Sequence, residues 1–311
     1  MYTDPARYQV RGALIHITLK QSAGGPDSWQ GELYAKYRQK HNEGFEERAS
    51  LLFSKNKFSA DFLYSHSHGR GYSTTDKEAV HTLADGSVHP MTTYEVGRSH
   101  THNFRVGADY NIAKDHQLSF VYNGGYSTSH NWTGVTGTQV STTHGNSTDW
   151  LHNGRLDYRT PFGLKAGAEL TYYRSPSDQL LHSRMQDEEL DFYTEDCQRI
   201  NRWKFFLAQE HSLGKGWDLN YGAIYTTSID NSYQYYYDPE TGEQLTSSDA
   251  LSNMKSRRRE QTWNIYAGFS KSFGDKLALD ASLAVEHYKT PVWNQWDWYP
   301  IVNLNYMPSP G

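Results

Sequence analysis

The chain has 311 residues, 35 acidic and 30 basic, with a net charge of −5 and a single cysteine. The charges are well mixed and form no basic stripe, which speaks against a nucleic-acid partner, and one thiol excludes a disulfide framework or a multi-cysteine metal centre. Mean hydropathy is −0.82 and no run approaches the about 18 apolar residues of a membrane helix, yet aromatics reach 14%, with 24 Tyr and 9 Trp.

Low hydropathy does not count against a membrane barrel, because a barrel strand shows only every second residue to lipid. The aromatic load suits an interface that is apolar on one side and wet on the other. The start, Met1-Tyr2-Thr3-Asp4-Pro5, has no basic n-region and no apolar h-region, so the chain shows no secretory signal. Residues Pro5 to Lys20 read as one short alternating strand, and Gly24-Gly25-Pro26 as a linker.

From there period-2 alternation dominates and predicts twelve strands, at 30–41, 45–55, 57–68, 98–113, 116–128, 147–160, 163–174, 199–213, 216–230, 259–273, 276–288 and 296–307. In the fourth, Phe104, Val106, Ala108 and Tyr110 alternate with Arg105, Gly107 and Asp109. The seventh sets Leu164, Ala166, Ala168 and Leu170 against Lys165, Gly167 and Glu169. In the tenth, Trp263, Ile265, Ala267 and Phe269 alternate with Asn264, Tyr266, Gly268 and Ser270. Leu277, Leu279, Ala281, Leu283 and Val285 form one face of the eleventh.

The connections alternate too. Tight turns at Ser54–Lys57, Ala113–His116, Pro161–Gly163, Gly214–Gly216 and Gly274–Lys276 follow the even strands. Long loops near 69–97, 129–146, 175–198 and 231–258 follow the odd strands from the third to the ninth. Strict parity puts all turns at one end and all loops at the other, the layout of an up-and-down transmembrane barrel rather than a Greek-key sandwich. Trp150, Trp203, Trp263 and Trp296 or Trp298 start strands that descend from the loop end, while Phe53, Phe58, Phe162, Trp217 and Phe273 lie at the turn end. These are two aromatic girdles. The alternate set is too polar for a dry core, so the interior is expected to be wet or filled by a polar plug.

The Pro5-Ala6-Arg7-Tyr8 … Gly12-Ala13-Leu14-Ile15-His16-Ile17 … Lys20 segment resembles the last plug strand of TonB-dependent outer-membrane receptors, with His16 where that pattern usually has Asn. Trp298 to Pro310 resembles a mid-barrel strand and turn of the same family, closest to the receptors abundant in Bacteroidetes. The resemblance implies a 22-stranded barrel around an N-terminal plug. It also implies a cell outer-membrane location and uptake of a scarce solute (siderophore, metal complex, or glycan or peptide) using force from a TonB complex. Residues 1–25 then read as a plug remnant and 26–311 as about twelve of the 22 strands, with the TonB-contacting region upstream. The other reading of the same strands is a passive twelve-stranded porin. Either way the partners are outer-membrane lipid and lipopolysaccharide, a small solute and, for a receptor, a surface lipoprotein. No cofactor is called for.

Candidate site residues are few. His66 and His68, and His100 and His102, form two H-x-H pairs flanking one long loop; each pair shares a strand face, and adjacent strands would bring them to metal-ligating range. The plainer reading is four polar strand-end residues near lipid headgroups. Tyr233, Tyr235, Tyr236 and Tyr237 crowd one loop and could stack on a sugar or a flat ligand, or only pack the girdle. Lys255, Arg257, Arg258 and Arg259 end the same loop and suit an acidic loop, an anionic solute or lipopolysaccharide phosphate. No nucleophile-elbow motif is present and nothing near Cys197 would activate it, so no enzyme is expected.

Overall fold

The computed structural model describes residues 27–39, 42–82, 86, 88–185, 188–246, 252–274 and 276–306. They form a single sheet of twelve antiparallel strands in sequence order. The strands are β1 (Ser28–Gln39), β2 (Glu43–Lys55), β3 (Phe58–Thr82), β4 (Val88–Ala113), β5 (His116–Gly137), β6 (Gln139–Arg159), β7 (Leu164–Met185), β8 (Glu188–Gly214), β9 (Trp217–Tyr237), β10 (Met254–Phe273), β11 (Leu277–Lys289) and β12 (Asn294–Tyr306). The twelve predicted strands are all present. The plug remnant read into 1–25 and the turn from Met307 onward lie outside the described residues.

The five tight turns close on left-handed backbone: Asn56 (φ 53°), Asp115 (φ 57°), Gly163 (φ 88°), Lys215 (φ 51°) and Gly274 (φ 63°). Short hairpins need positive φ to follow the twist of their strands, and Gly, Asn and Asp reach it at least cost. Three of the other connections are far shorter than the long loops the sequence suggested, and the fourth narrows to 238–253. The hairpins continue as ladders to Thr82↔Val88, Val135↔Ser141, Met185↔Glu188 and Gln234↔Met254. Those segments lost their alternation because both faces there meet water, which removes the pattern but not the backbone pairing.

Register shows what each face is for. One cross-strand row runs Trp29–Phe53–Ala60–Ala108–Phe120–Leu156–Ala168–Phe205–Tyr225–Trp263–His287–Trp296 through all twelve strands without a formal charge other than a titratable imidazole. It climbs from the turn end of β1 to the opposite end of β12, the slant that tilted strands impose. The two rows that flank it lie on the other face: one contains Asp61, Arg155, Glu169 and Lys204, the other Asp109, Asp157, Asn264, Glu286 and Asp297.

Burial inverts the pattern of a soluble protein. On β10, Trp263 and Ile265 are 46% and 51% exposed, while Asn264 and Tyr266, which alternate with them, are each 4% exposed. The polar face is the crowded inner one, and the apolar face is the outer. Large apolar groups stand exposed along the outer face on every strand pair, among them Leu33, Leu51, Phe62, Val106, Leu156, Leu207 and Leu304. Only hydrocarbon makes that arrangement favourable, since in water each such side chain forgoes about 1.5–3 kcal/mol of burial.

Candidate functional site

Two belts bound the outer apolar band. Trp150, Trp203, Trp263, Trp296 and Trp298 are exposed at its upper edge, and Phe53, Phe58, Phe162, Trp217 and Phe273 at the turn-end edge. Neighbouring strands lock the upper belt ring to ring: Tyr126–Trp150 and Tyr225–Trp263 are each 4.3 Å between centroids, and His287–Trp296 stack at 4.4 Å. From Trp263 to Phe273 the chain covers about the 9–11 residues of a tilted membrane strand. Above the upper belt the hairpins rise further; β8 alone continues from Trp203 back to Glu188, about 50 Å of strand.

The inner wall carries a lattice of paired charges. Arg105 Nε donates to Asp61 Oδ2 at 2.8 Å, and Arg155 grips Asp157 with two bonds of 2.7 and 2.9 Å. Lys165 Nζ donates to both oxygens of Glu210 at 3.1 Å, and Asn153 Nδ2 to Thr171 Oγ1 at 2.9 Å. Over β9 to β12 the wall turns acidic, with Asp218, Asp230, Asp280, Glu286 and Asp297 on the inner parity. The inner side is therefore hydrophilic across the whole sheet, as a solute path or a polar filling requires.

The four candidate histidines do meet. Register pairs His66 with His102 and His68 with His100. Their rings stack at 4.4 and 4.1 Å between centroids. They lie on the outer face, two residues above Tyr64 and Phe104. His66 Nδ1 bonds Glu47 Oε2 at 2.8 Å and His102 Nδ1 bonds Tyr64 Oη at 2.8 Å, so both nitrogens are already engaged. Among the described residues no group of three or more His, Cys, Asp or Glu could hold a metal ion.

The tyrosine candidates divide between faces. Tyr233 and Tyr235 stack at 5.2 Å on the outer parity, and Tyr237 lies 6.2 Å from Tyr193. Tyr236 alone takes the inner parity, edge-on to Phe192 at 5.3 Å. A cavity of about 400 Å³ beside them is lined by Leu180, Tyr193, Glu195, Tyr237, Asp238 and Pro239. Desolvation, then the Glu195 carboxylate, raises the Tyr237 hydroxyl above its ordinary value. Asp238 is held below the usual carboxylate range by the backbone N–H groups of Thr241 and Glu240, at 2.8 and 2.9 Å. A neutral phenol beside two carboxylates suits a hydroxyl-rich ligand better than an anion.

Of the basic run, Arg258 pairs with Glu260 at 3.1 Å, while Lys255, Arg257 and Arg259 take the outer parity. Sequence reading missed two further cationic pairs on that same face: Arg70 lies directly opposite Arg98, and Arg174 opposite Arg199. The signal was available, since Arg70 continues the parity of His66 and His68, but it fell in a segment taken for loop.

Twelve up-and-down strands with an apolar outer face between two aromatic belts define a transmembrane β-barrel sheet of the outer-membrane class. No family model matches the sequence, and no curated protein matches it. Among solved structures the chain is similar to the ferric yersiniabactin uptake receptor FyuA from Yersinia pestis, at 10% identity and a TM-score of 0.45, over 80% of this chain and 45% of that one. It is also similar to the toluene transporter TodX of Pseudomonas putida, at 8% identity and a TM-score of 0.31, over 90% and 87%. A third is the translocator domain of the autotransporter NalP from Neisseria meningitidis, at 10% identity and a TM-score of 0.26, over 92% and 90%. This chain spans less than half the length of the first of these.

Proposed function

We propose that the chain is part of an outer-membrane receptor for active, TonB-dependent uptake of a scarce solute, of the siderophore, metal-complex, glycan or peptide kind. The observation that carries this reading is the open sheet. β1 pairs only with β2, and β12 only with β11, among the described residues. A free strand edge in hydrocarbon strands a row of N–H and C=O groups at several kcal/mol each, so both edges call for a partner, which in this reading is further strands. About 22 in all is the number the family resemblance implies, and the Bacteroidetes affinity rests on the same two sequence motifs.

The polar inner face suits a plug, and the tall hairpins give solute, and a surface lipoprotein, a place to engage. No catalytic step is part of this reading. The rival is a passive twelve-stranded porin, in which β1 closes on β12. Planar-bilayer recordings of the purified protein, with uptake assays on cells given a protonophore, separate the two. We expect no steady conductance, and uptake that stops when the energy source collapses. A steady ohmic conductance, or uptake indifferent to the protonophore, would sink the receptor reading.

A further inference from the structure

Following β3 and β4 upward along the outer face, the cross-strand pairs read Phe62–Val106, Tyr64–Phe104, His66–His102, His68–His100 and then Arg70–Arg98. The order is apolar, aromatic, imidazole, guanidinium. On β7 and β8 the outer pairs read Ala168–Phe205, Leu170–Trp203, Tyr172–Asn201 and Arg174–Arg199. Two separate hairpins thus change from ring to guanidinium just above the belt. The headgroup layer is about 5–8 Å deep on each side of the hydrocarbon, and a step of two residues along a tilted strand enters it.

Like charges directly opposite on a sheet destabilise it. Neither arginine pair has a carboxylate to offset this: none of Arg70, Arg98, Arg174 and Arg199 makes an ion pair among the described residues. The first pair also borders a cavity of about 240 Å³ on the same face, lined by Arg70, Arg98, His130, Trp132, His144 and Asn146. Two guanidinium forks without an ion pair, beside the His144 imidazole, Trp132 and a His130 that bonds Asn146 at 2.6 Å, all on the outer face, match a phosphate carried by a lipid.

We infer that Arg70 and Arg98, with His130 and His144, form a docking site for the phosphorylated headgroup of an anionic lipid packed against the outer wall, and that Arg174 and Arg199 form a second. The neighbouring phosphate neutralises each arginine pair and fixes the depth of the barrel in the bilayer. This inference rests on the membrane reading above.

The test reconstitutes the protein in phosphatidylcholine vesicles doped with lipid A or with dephosphorylated lipid A. Insertion is read from heat-modifiable gel migration and retained lipid by native mass spectrometry. We expect lipid A to be retained and its dephosphorylated form not. The wild-type protein should carry two lipids, and R70Q/R98Q one, its altered site binding about tenfold more weakly for one lost charge-assisted contact set, with unchanged insertion; R174Q/R199Q should likewise lose one of the two. Excess inorganic phosphate should not displace the lipid. Equal retention by R70Q/R98Q, or of the dephosphorylated lipid, would overturn the inference and leave the membrane reading intact. Displacement by inorganic phosphate would overturn it in favour of a free-anion site. Failure of the wild-type protein to insert would overturn both readings.

Discussion

Gly167 faces Phe206 across β7 and β8, and its missing side chain is where the Phe206 ring lies; a Cβ there would also meet the Leu156 carbonyl oxygen. Arg155 rests over that ring, 5.6 Å from its centroid, while gripping Asp157. One absent methyl therefore seats an aromatic ring and, through it, an inner-wall ion pair. Gly167→Ala should destabilise the sheet by about 1–3 kcal/mol, the usual cost of overpacking, as read by urea titration of the protein in liposomes. Gly154→Ala is the matched control: a Cβ at Gly154 meets nothing within 4 Å, so its transition should not move to lower urea. Such small-for-large pairings were invisible in the sequence, because Gly167 and Phe206 are brought opposite each other only by the hairpin register.

β10 shows the two-faced strand most plainly. Ile265 is exposed on the outer face and Ser270 sits on the inner one, opposite Asp280. Arg in place of Ile265 should cost about 2–4 kcal/mol of folding into a bilayer, the midplane penalty for a cation on lipid. Ser270→Arg, beside a carboxylate in a wet interior, should fall within about 0.5 kcal/mol of the parent. Equal costs at the two positions would contradict the face assignment. The same strand explains how far the sequence could be read. Between the belts, lipid on one side and water on the other write a period of two, and strand number, turn parity and girdles were all legible from it. Above Trp263 both faces are wet and Met254 to Gln261 carry no alternation, although the ladder continues there. The approach of His66 to His102 was foreseeable from parity, but the stacking of the rings, with Glu47 and Tyr64 holding their nitrogens, depends on side-chain torsions that no spacing encodes.

At the scale of the whole sheet, parity fixes sidedness. The five tight turns at Asn56, Asp115, Gly163, Lys215 and Gly274 belong to one rim, and the tall hairpins to the other. Lys114 lies in a turn of the first rim and Glu240 beyond the end of β9 on the second; both are exposed. In a Cys197→Ser background, intact cells treated with an impermeant maleimide should label Glu240→Cys and leave Lys114→Cys unlabelled until the envelope is broken. Labelling of Lys114→Cys in intact cells would invert the proposed orientation.

The slanted row from Trp29 to Trp296 separates two coordinates that coincide in a flat sheet. Partners in the row touch, yet its first member lies in the lower girdle and its last in the upper. Depth in the bilayer and pairing in the ladder are thus independent addresses for each residue. A strand slipped by two positions would keep every inward and outward assignment while carrying its tryptophan out of the interface. Facing alone cannot set the register of this wall; the depth of its rings and arginines must contribute.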